Sequence, residues 1–248
     1  MKFIGIIPSR YASTRFPGKP LIDIRGKSMI QRVYERSSQS DILSDVYVAT
    51  DDERIAKHVE AFGGKVLMTS SNHQSGTDRC YEAAAAIQGI DKKNTIIVNI
   101  QGDEPFIAPE QINTLCKCFD DPKVGIATLV KKINNLSTIH NPNTPKVVRN
   151  TDGDAIYFSR SPIPYLRDTA AEDWFIKHDF YKHIGIYAYR LPTLKELTNL
   201  ERSTLEIAES LEQLRWIENN YRIRTAITTH ESMAIDSPDD LKKLLAQL

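Results

Sequence analysis

The run Pro8-Ser9-Arg10-Tyr11-Ala12-Ser13-Thr14-Arg15-Phe16-Pro17-Gly18-Lys19-Pro20 places three cations, three aliphatic hydroxyls (Ser9, Ser13 and Thr14) and a glycine in one short stretch. Cations supply charge to an anion, and hydroxyls and free backbone N–H groups supply donors. Gly18 lets the backbone approach a ligand closely or take a positive φ. That inventory suits a polyphosphate; it equally describes a solvated basic loop. Neither G-x-x-x-x-G-K-[ST] nor G-x-G-x-x-G occurs in it, and the absence of a glycine fingerprint disfavours a nicotinamide-dependent dehydrogenase.

Other stretches carry chemistry too. Asp103 stands in Val98-Asn99-Ile100-Gln101-Gly102-Asp103-Glu104-Pro105. A carboxylate just past a buried strand, beside a glycine, suits Mg2+, which keeps waters and takes one or two protein carboxylates plus phosphate oxygens. An Asp there also serves to cap a helix or close a turn. Glu104 is a second, weaker ligand candidate. The loop Asn72-His73-Gln74-Ser75-Gly76-Thr77-Asp78-Arg79 mixes donors, a glycine and a cation, as recognition of a base edge or ribose requires. Arg79 alternatively forms a structural ion pair. Asp236 precedes Ser237-Pro238, which by itself is capping chemistry, with Asp239 and Asp240 in the first turn of the helix.

Elements must bring these residues together. Phe3 to Ile7 reads as a strand buried on both faces, and Ser28 caps a helix with Met29, Ile30, Val33 and Tyr34 on one stripe. Val46 to Thr50 is a strand ending at Asp51, followed by a helix with Ile55, Val59 and Phe62 in register and closed by Gly63-Gly64. Lys65 to Met68, Thr95 to Ile100 and Val124 to Val130 are further strands, alternating with helices around Tyr81 to Gln88 and Ala108 to Phe119. The alternation predicts an α/β, Rossmann-like, mostly parallel sheet with helices on both faces, plus a smaller mixed α/β subdomain. Ligands of such sheets sit at the carboxyl ends of strands, so the first loop, Asp51, the His73 to Arg79 loop and Asp103 should share one edge.

After about Lys131 the pattern changes. Asn141-Pro142 and Thr144-Pro145 break helices, and Lys146 to Arg149 and Ala155 to Phe158 read as strands around Asp152-Gly153. His183 to Tyr189 and Ile223 to Thr228 are strands, Leu205 to Asn219 is one helix, and Pro238 opens the last helix with Ser237 as cap. The expected division is 1–131, 132–222 and 223–248, tightly joined.

The chain has 248 residues and a formal net charge of zero, which argues against nucleic-acid binding through bulk charge. Cys80, Cys116 and Cys118 lack metal-site spacing and read as reduced thiols. No stretch suits a signal peptide or membrane span. A cytoplasmic protein is the expectation.

The first run resembles the opening I-P-A-R-Y-x-S-T-R-x-P-G-K-P-L of the 3-deoxy-manno-octulosonate (Kdo) cytidylyltransferases, with Ser9 in place of the usual Ala. V-N-x-Q-G-D-E-P at Asp103, H-x-S-G-T-[ED]-R at His73 to Arg79, Y-F-S-R at Tyr157 to Arg160, H-x-G-I-Y at His183 to Tyr187, L-E-Q-L-R at Leu211 to Arg215 and V-D-T-P-E-D-L at Asp236 are similar to further family segments. Thr169 to Phe180 matches no family pattern, and Ile207 to Ser210 only loosely.

The resemblance implies CTP and Kdo as substrates, CMP-Kdo and pyrophosphate as products, Mg2+ held by Asp103 and Asp236, a role in lipopolysaccharide assembly, and a homodimer. It implies phosphate contacts from Arg10, Arg15 and Lys19, and cytosine and ribose contacts from Pro8, Ser75, Gly76, Thr77, Arg79 and Gln101. Arg160, His183, Tyr187, Glu212 and Gln213 become contacts to the sugar acid, although Glu212 also suits an exposed salt bridge and a lone His a structural place. Rivals are a sialic-acid cytidylyltransferase, whose early loop usually reads R-x-G-S-K, and a non-catalytic CTP-binding regulator, against which retention of both Asp103 and Asp236 speaks.

Overall fold

The strand β1 (Lys2–Ser9) is apolar and buried from Ile4 to Ile7, as its lack of polar alternation requires. In this computed structural model, which describes residues 1–12, 16–73, 75–231 and 233–247, it is followed by a short hairpin, β2 (Asp23–Ile24) and β3 (Lys27–Ser28). The order continues with α1 (Met29–Ser37), β4 (Leu43–Thr50), α2 (Glu53–Ala61), β5 (Val66–Met68), α3 (Gly76–Ala86), β6 (Thr95–Asn99) and α4 (Pro109–Lys117). Then come β7 (Ile126–Lys132), α5 (Leu136–His140), β8 (Lys146–Arg149), β9 (Ala155–Ser159), α6 (Trp174–Lys177) and β10 (Tyr181–Arg190). Last are α7 (Leu191–Leu197), α8 (Thr204–Glu209), α9 (Gln213–Glu218), β11 (Ile223–Ile227) and α10 (Pro238–Gln247).

The chain divides into two compact units. The first holds 1–116, 188–198 and 231–248, and the second 117–187 and 199–230. These boundaries differ from the expected ones: 117–131 and 223–230 fall in the second unit, and 188–198 returns to the first. The reason is packing rather than chain order. β10 supplies Tyr181–Tyr187 to one unit and Ala188–Arg190 to the other, and α7 follows it without a break.

In the first unit the strands run β6-β1-β4-β5, all in parallel. The α/β class expected from the alternation is what folds. Every residue of β6 is buried, and each fully buried aliphatic side chain contributes about 1.5–3 kcal/mol. Helices α1, α2 and α3 begin where capping side chains accept orphan amides. Ser28 Oγ accepts from Gln31 N at 3.2 Å, Asp52 from Arg54 N at 2.9 Å and Ser75 Oγ from Asp78 N at 3.1 Å. The last helix is anchored by Leu244, which is buried with Ile24, Met29 and Ile235, and by Leu241 packed against them.

The second unit is mixed. β11 pairs with β7 in parallel, whereas β8 is antiparallel to both β9 and β10. The expected helix from Leu205 to Asn219 is broken in two. Ser210 takes a left-handed conformation, φ 51°, and ends α8, and α9 restarts at Gln213. The break exposes carbonyl groups that the Arg160 guanidinium binds: Nε donates to Glu209 O at 2.7 Å and Nη2 to Ser210 O at 3.2 Å.

Candidate nucleotide and metal site

In the first unit a cavity of about 240 Å³ opens at the carboxyl ends of β1 and β6. Lys19 reaches it from a single 3-10 turn, Lys19–Leu21, which Gly18 precedes at φ 71° and Pro20 stiffens. The Gly18 N–H donates to Tyr11 O at 3.0 Å, closing the ends of the loop on each other. The Tyr11 ring lies beside Gly18, where an added Cβ would come within 3.2 Å of it. Arg54 stands over that ring at 3.3 Å from its centroid, itself held by Asp52. Arg10 lines the cavity and is exposed. Arg15 lies outside the described residues.

Lys19 Nζ donates to Asp103 Oδ2 at 2.9 Å and to Asp236 Oδ1 at 3.2 Å. The structure thus brings together two carboxylates far apart in sequence. Asp236 arrives there because the Ile235 N–H donates to the Asp103 carbonyl at 2.9 Å. Asp240 Oδ2 accepts from Ser237 N at 3.0 Å and Ser237 Oγ at 2.7 Å, and Ser237 Oγ accepts in turn from Asp240 N. That reciprocal pair starts α10 and leaves the Asp236 side chain to the cavity. Glu104 is buried and does not line it.

Pro8, Ser75, Gly76, Arg79 and Gln101 line the same cavity, whereas Thr77, buried in α3, does not line it. Gly102 also lines it, and a Cβ there would sit 3.0 Å from the Pro8 carbonyl oxygen. That close approach seats the Asp103 turn against the end of β1. Arg79 makes the structural ion pair and also lines the cavity. Its buried guanidinium donates to Thr69 Oγ1 at 2.6 Å and pairs with Asp51 at 3.2 Å, while the residue forms part of the wall.

His73 is a wall residue that sequence reasoning did not single out. Its ring nitrogen Nε2 hydrogen-bonds Glu82, and Glu82 also accepts from Ser70 N at 2.8 Å. Burial works to raise the Glu82 pKa. The bonds from His73 and Ser70 outweigh it and hold the carboxyl below its ordinary value. The available signal was the place of His73 at the head of the loop; its distant carboxylate left no mark in the local sequence.

The five sugar-acid candidates all lie in the second unit. Arg160 is spent on backbone carbonyls, donating to Pro142 O at 3.0 Å as well as to Glu209 and Ser210. His183 packs against Phe158 and Tyr187 and lies 3.0 Å from Thr128 Oγ1; desolvation lowers its pKa to about 3. Burial, followed by the charge of Glu212, raises the Tyr187 pKa well above its ordinary value. Glu212 is half-buried, 3.9 Å from Arg215. Gln213 is buried, and its Nε2 has no hydrogen-bond partner among the described residues.

A parallel α/β unit whose strand ends gather cations and paired carboxylates around a cavity suits a nucleotide's phosphates, and here the fold is that of a nucleotidyltransferase. Residues 4–224 match the cytidylyltransferase family model. The 3-deoxy-manno-octulosonate cytidylyltransferase of Parabacteroides distasonis is 59% identical over 252 residues, covering 100% of this chain and 98% of that protein. The protein of the same name from Bacteroides thetaiotaomicron is 58% identical over 98% of this chain and 96% of its own. The solved structure of CMP:2-keto-3-deoxy-manno-octonic acid synthetase complexed with CTP superposes with a TM-score of 0.91 at 45% identity, covering 100% of this chain and 98% of that one. The chain belongs to the 3-deoxy-manno-octulosonate cytidylyltransferase family.

Proposed function

We propose that this chain transfers the cytidylyl group of CTP to Kdo, giving CMP-Kdo and pyrophosphate. The observation that carries the reading is the meeting of Lys19, Asp103 and Asp236 at a cavity whose other walls suit a nucleotide. The anomeric hydroxyl of Kdo releases its proton to water as its oxygen bonds to the α-phosphorus of CTP, and the bond from that phosphorus to the pyrophosphate oxygen breaks. Such a step depends on positioning and charge neutralisation more than on covalent catalysis. Arg10 and Lys19 neutralise charge on the phosphates, with Arg15 assisting. Pro8, Ser75, Gly76, Thr77, Arg79 and Gln101 hold the base and ribose.

Asp103 and Asp236 fit a Mg2+ ion. Their carboxylates already converge on one cation, the Lys19 ammonium. No cluster of three or more metal-ligating side chains occurs among the described residues, which suits an ion that completes its shell with phosphate oxygens and water. When bound, Mg2+ supplies Lewis-acid stabilisation of phosphate charge.

For the sugar acid, the reading assigns Arg160, His183, Tyr187, Glu212 and Gln213. The unpartnered amide of Gln213 supports it, since a buried donor without a partner costs about 1–3 kcal/mol and a substrate hydroxyl would accept from it. Arg160 then acts by fixing the α8–α9 break. The product would serve lipopolysaccharide assembly in the cytoplasm; among the described residues no helix is long and apolar enough to cross a membrane. A homodimer completes the proposal, to be checked by light scattering. Exposed Ile156, Tyr165 and Ile176 in the second unit support it.

The test is pyrophosphate release from CTP and Mg2+ with Kdo, with N-acetylneuraminic acid, or with no sugar. Release with Kdo alone is expected. Release with the sialic acid alone would overturn the sugar assignment, and CTP binding without release would favour a regulator.

A further inference from the structure

We propose that Lys19 is a built-in counter-cation, holding the metal site closed until nucleotide arrives and then moving its charge to the phosphates. This rests on the proposed function, in which Asp103 and Asp236 hold the metal. The Lys19 ammonium lies within hydrogen-bond distance of both carboxylates, so it stands where a divalent ion must bind. A divalent ion carries twice the charge of the ammonium and answers the two carboxylates more strongly.

The carboxylates do not depend on Lys19 for their positions. Ile235 N–H to Asp103 O and the Ser237–Asp240 pair hold their backbones. The Lys19 backbone is equally fixed, by its N–H to Phe16 O at 3.2 Å and by Ile22 N–H to Lys19 O at 3.3 Å. Only the flexible four-carbon stem must move, and its 14% exposed side chain already borders the cavity. An entering polyphosphate offers the ammonium a new anion as the metal displaces it. Metal and nucleotide binding are therefore coupled through one side chain, and the coupling is reciprocal.

The experiment titrates the full-length protein with Mn2+ alone, and with Mn2+ in the presence of CTP, by loss of the free-ion paramagnetic signal. Wild type, Lys19→Met, Lys19→Gln and Asp103→Asn are compared. Without nucleotide, both lysine variants should bind Mn2+ roughly tenfold more tightly than wild type, the order expected on removing a cation a few ångströms from the ion. CTP should then enhance their Mn2+ affinity less than it does in wild type. Mn2+ affinity within about twofold of wild type in both lysine variants, while wild type binds Mn2+ with CTP and Asp103→Asn does not, overturns the counter-cation alone. Equal Mn2+ binding by wild type and Asp103→Asn with CTP overturns the metal site itself, and this inference with it.

Discussion

The backbone N–H of Ile235 donates to the carbonyl of Asp103 at 2.9 Å, so the two acidic segments are joined by main chain before any side chain acts. Asp103→Asn should therefore keep the fold. Its lost pair with Lys19 is partly exposed, at 14% and 24% for the two side chains, and such pairs contribute about 0–1 kcal/mol. Turnover should fall by about a hundredfold or more, as on removal of other preorganised charge. The check is pyrophosphate release beside a thermal melt. Near-normal rates with an unchanged melt would remove Asp103 from the metal site.

Gly102 offers a test of how tightly the turn is seated. A Cβ would lie 3.0 Å from the Pro8 carbonyl oxygen, which is backbone and cannot rotate away. Gly102→Ala should cost about 1–3 kcal/mol in urea unfolding and weaken CTP binding, since Pro8 and Asp103 must separate. A variant with wild-type stability and CTP affinity would show that the contact relaxes freely.

Much of this was legible before folding, and the rest was hidden for identifiable reasons. Caps at Ser28 and Ser237 depend on local chemistry, and the structure has both. The parallel pairing of the first unit follows from β-α alternation, whereas its strand order does not. The pairing of Lys19 with carboxylates 84 and 217 positions away is a tertiary event with no local mark. The break at Ser210 also escaped reading, because the apolar spacing of Leu205, Ala208, Leu211 and Leu214 suits one helix. What opposes it is the set of bonds that Arg160 and Glu209 make from distant positions. The return of 188–198 to the first unit is likewise decided by packing rather than by composition.

Glu206 and Arg215 form a buried bidentate pair, with bonds of 2.8 and 2.7 Å, that ties α8 to α9 across the break. Burial works to raise the Glu206 pKa, but the bonds and charge of Arg215 prevail and hold it below its ordinary value. Arg215→Met would leave the buried Glu206 carboxylate only the exposed Arg202 at 3.5 Å and the Ser203 N–H, a loss of up to about 3–5 kcal/mol. Adding Glu206→Leu should recover a good part of that loss, because the stranded charge is then gone. Urea unfolding of the wild type, the two single variants and the double variant gives the coupling directly. Additive losses would mean that the pair does not act as a unit.

His183 sets a stability dependence on acid pH. Its folded pKa of about 3 lies well below its ordinary value, because the imidazole is desolvated among Phe158, Tyr187 and Thr128. Between the two values the unfolded chain binds a proton that the folded chain does not, so stability rises with pH. The sign is that of a half-buried histidine kept neutral by desolvation: stability is complete well above about pH 6.5 and falls as the solution is acidified toward pH 3. The slope from this residue is at most about 1.4 kcal/mol per pH unit. His183→Gln keeps a polar group near Thr128 and removes the titration. Chemical denaturation at pH 7.5, 6.0 and 5.0 should show the wild type losing more stability than the variant at each step down in pH. Parallel curves would place the imidazole in contact with water.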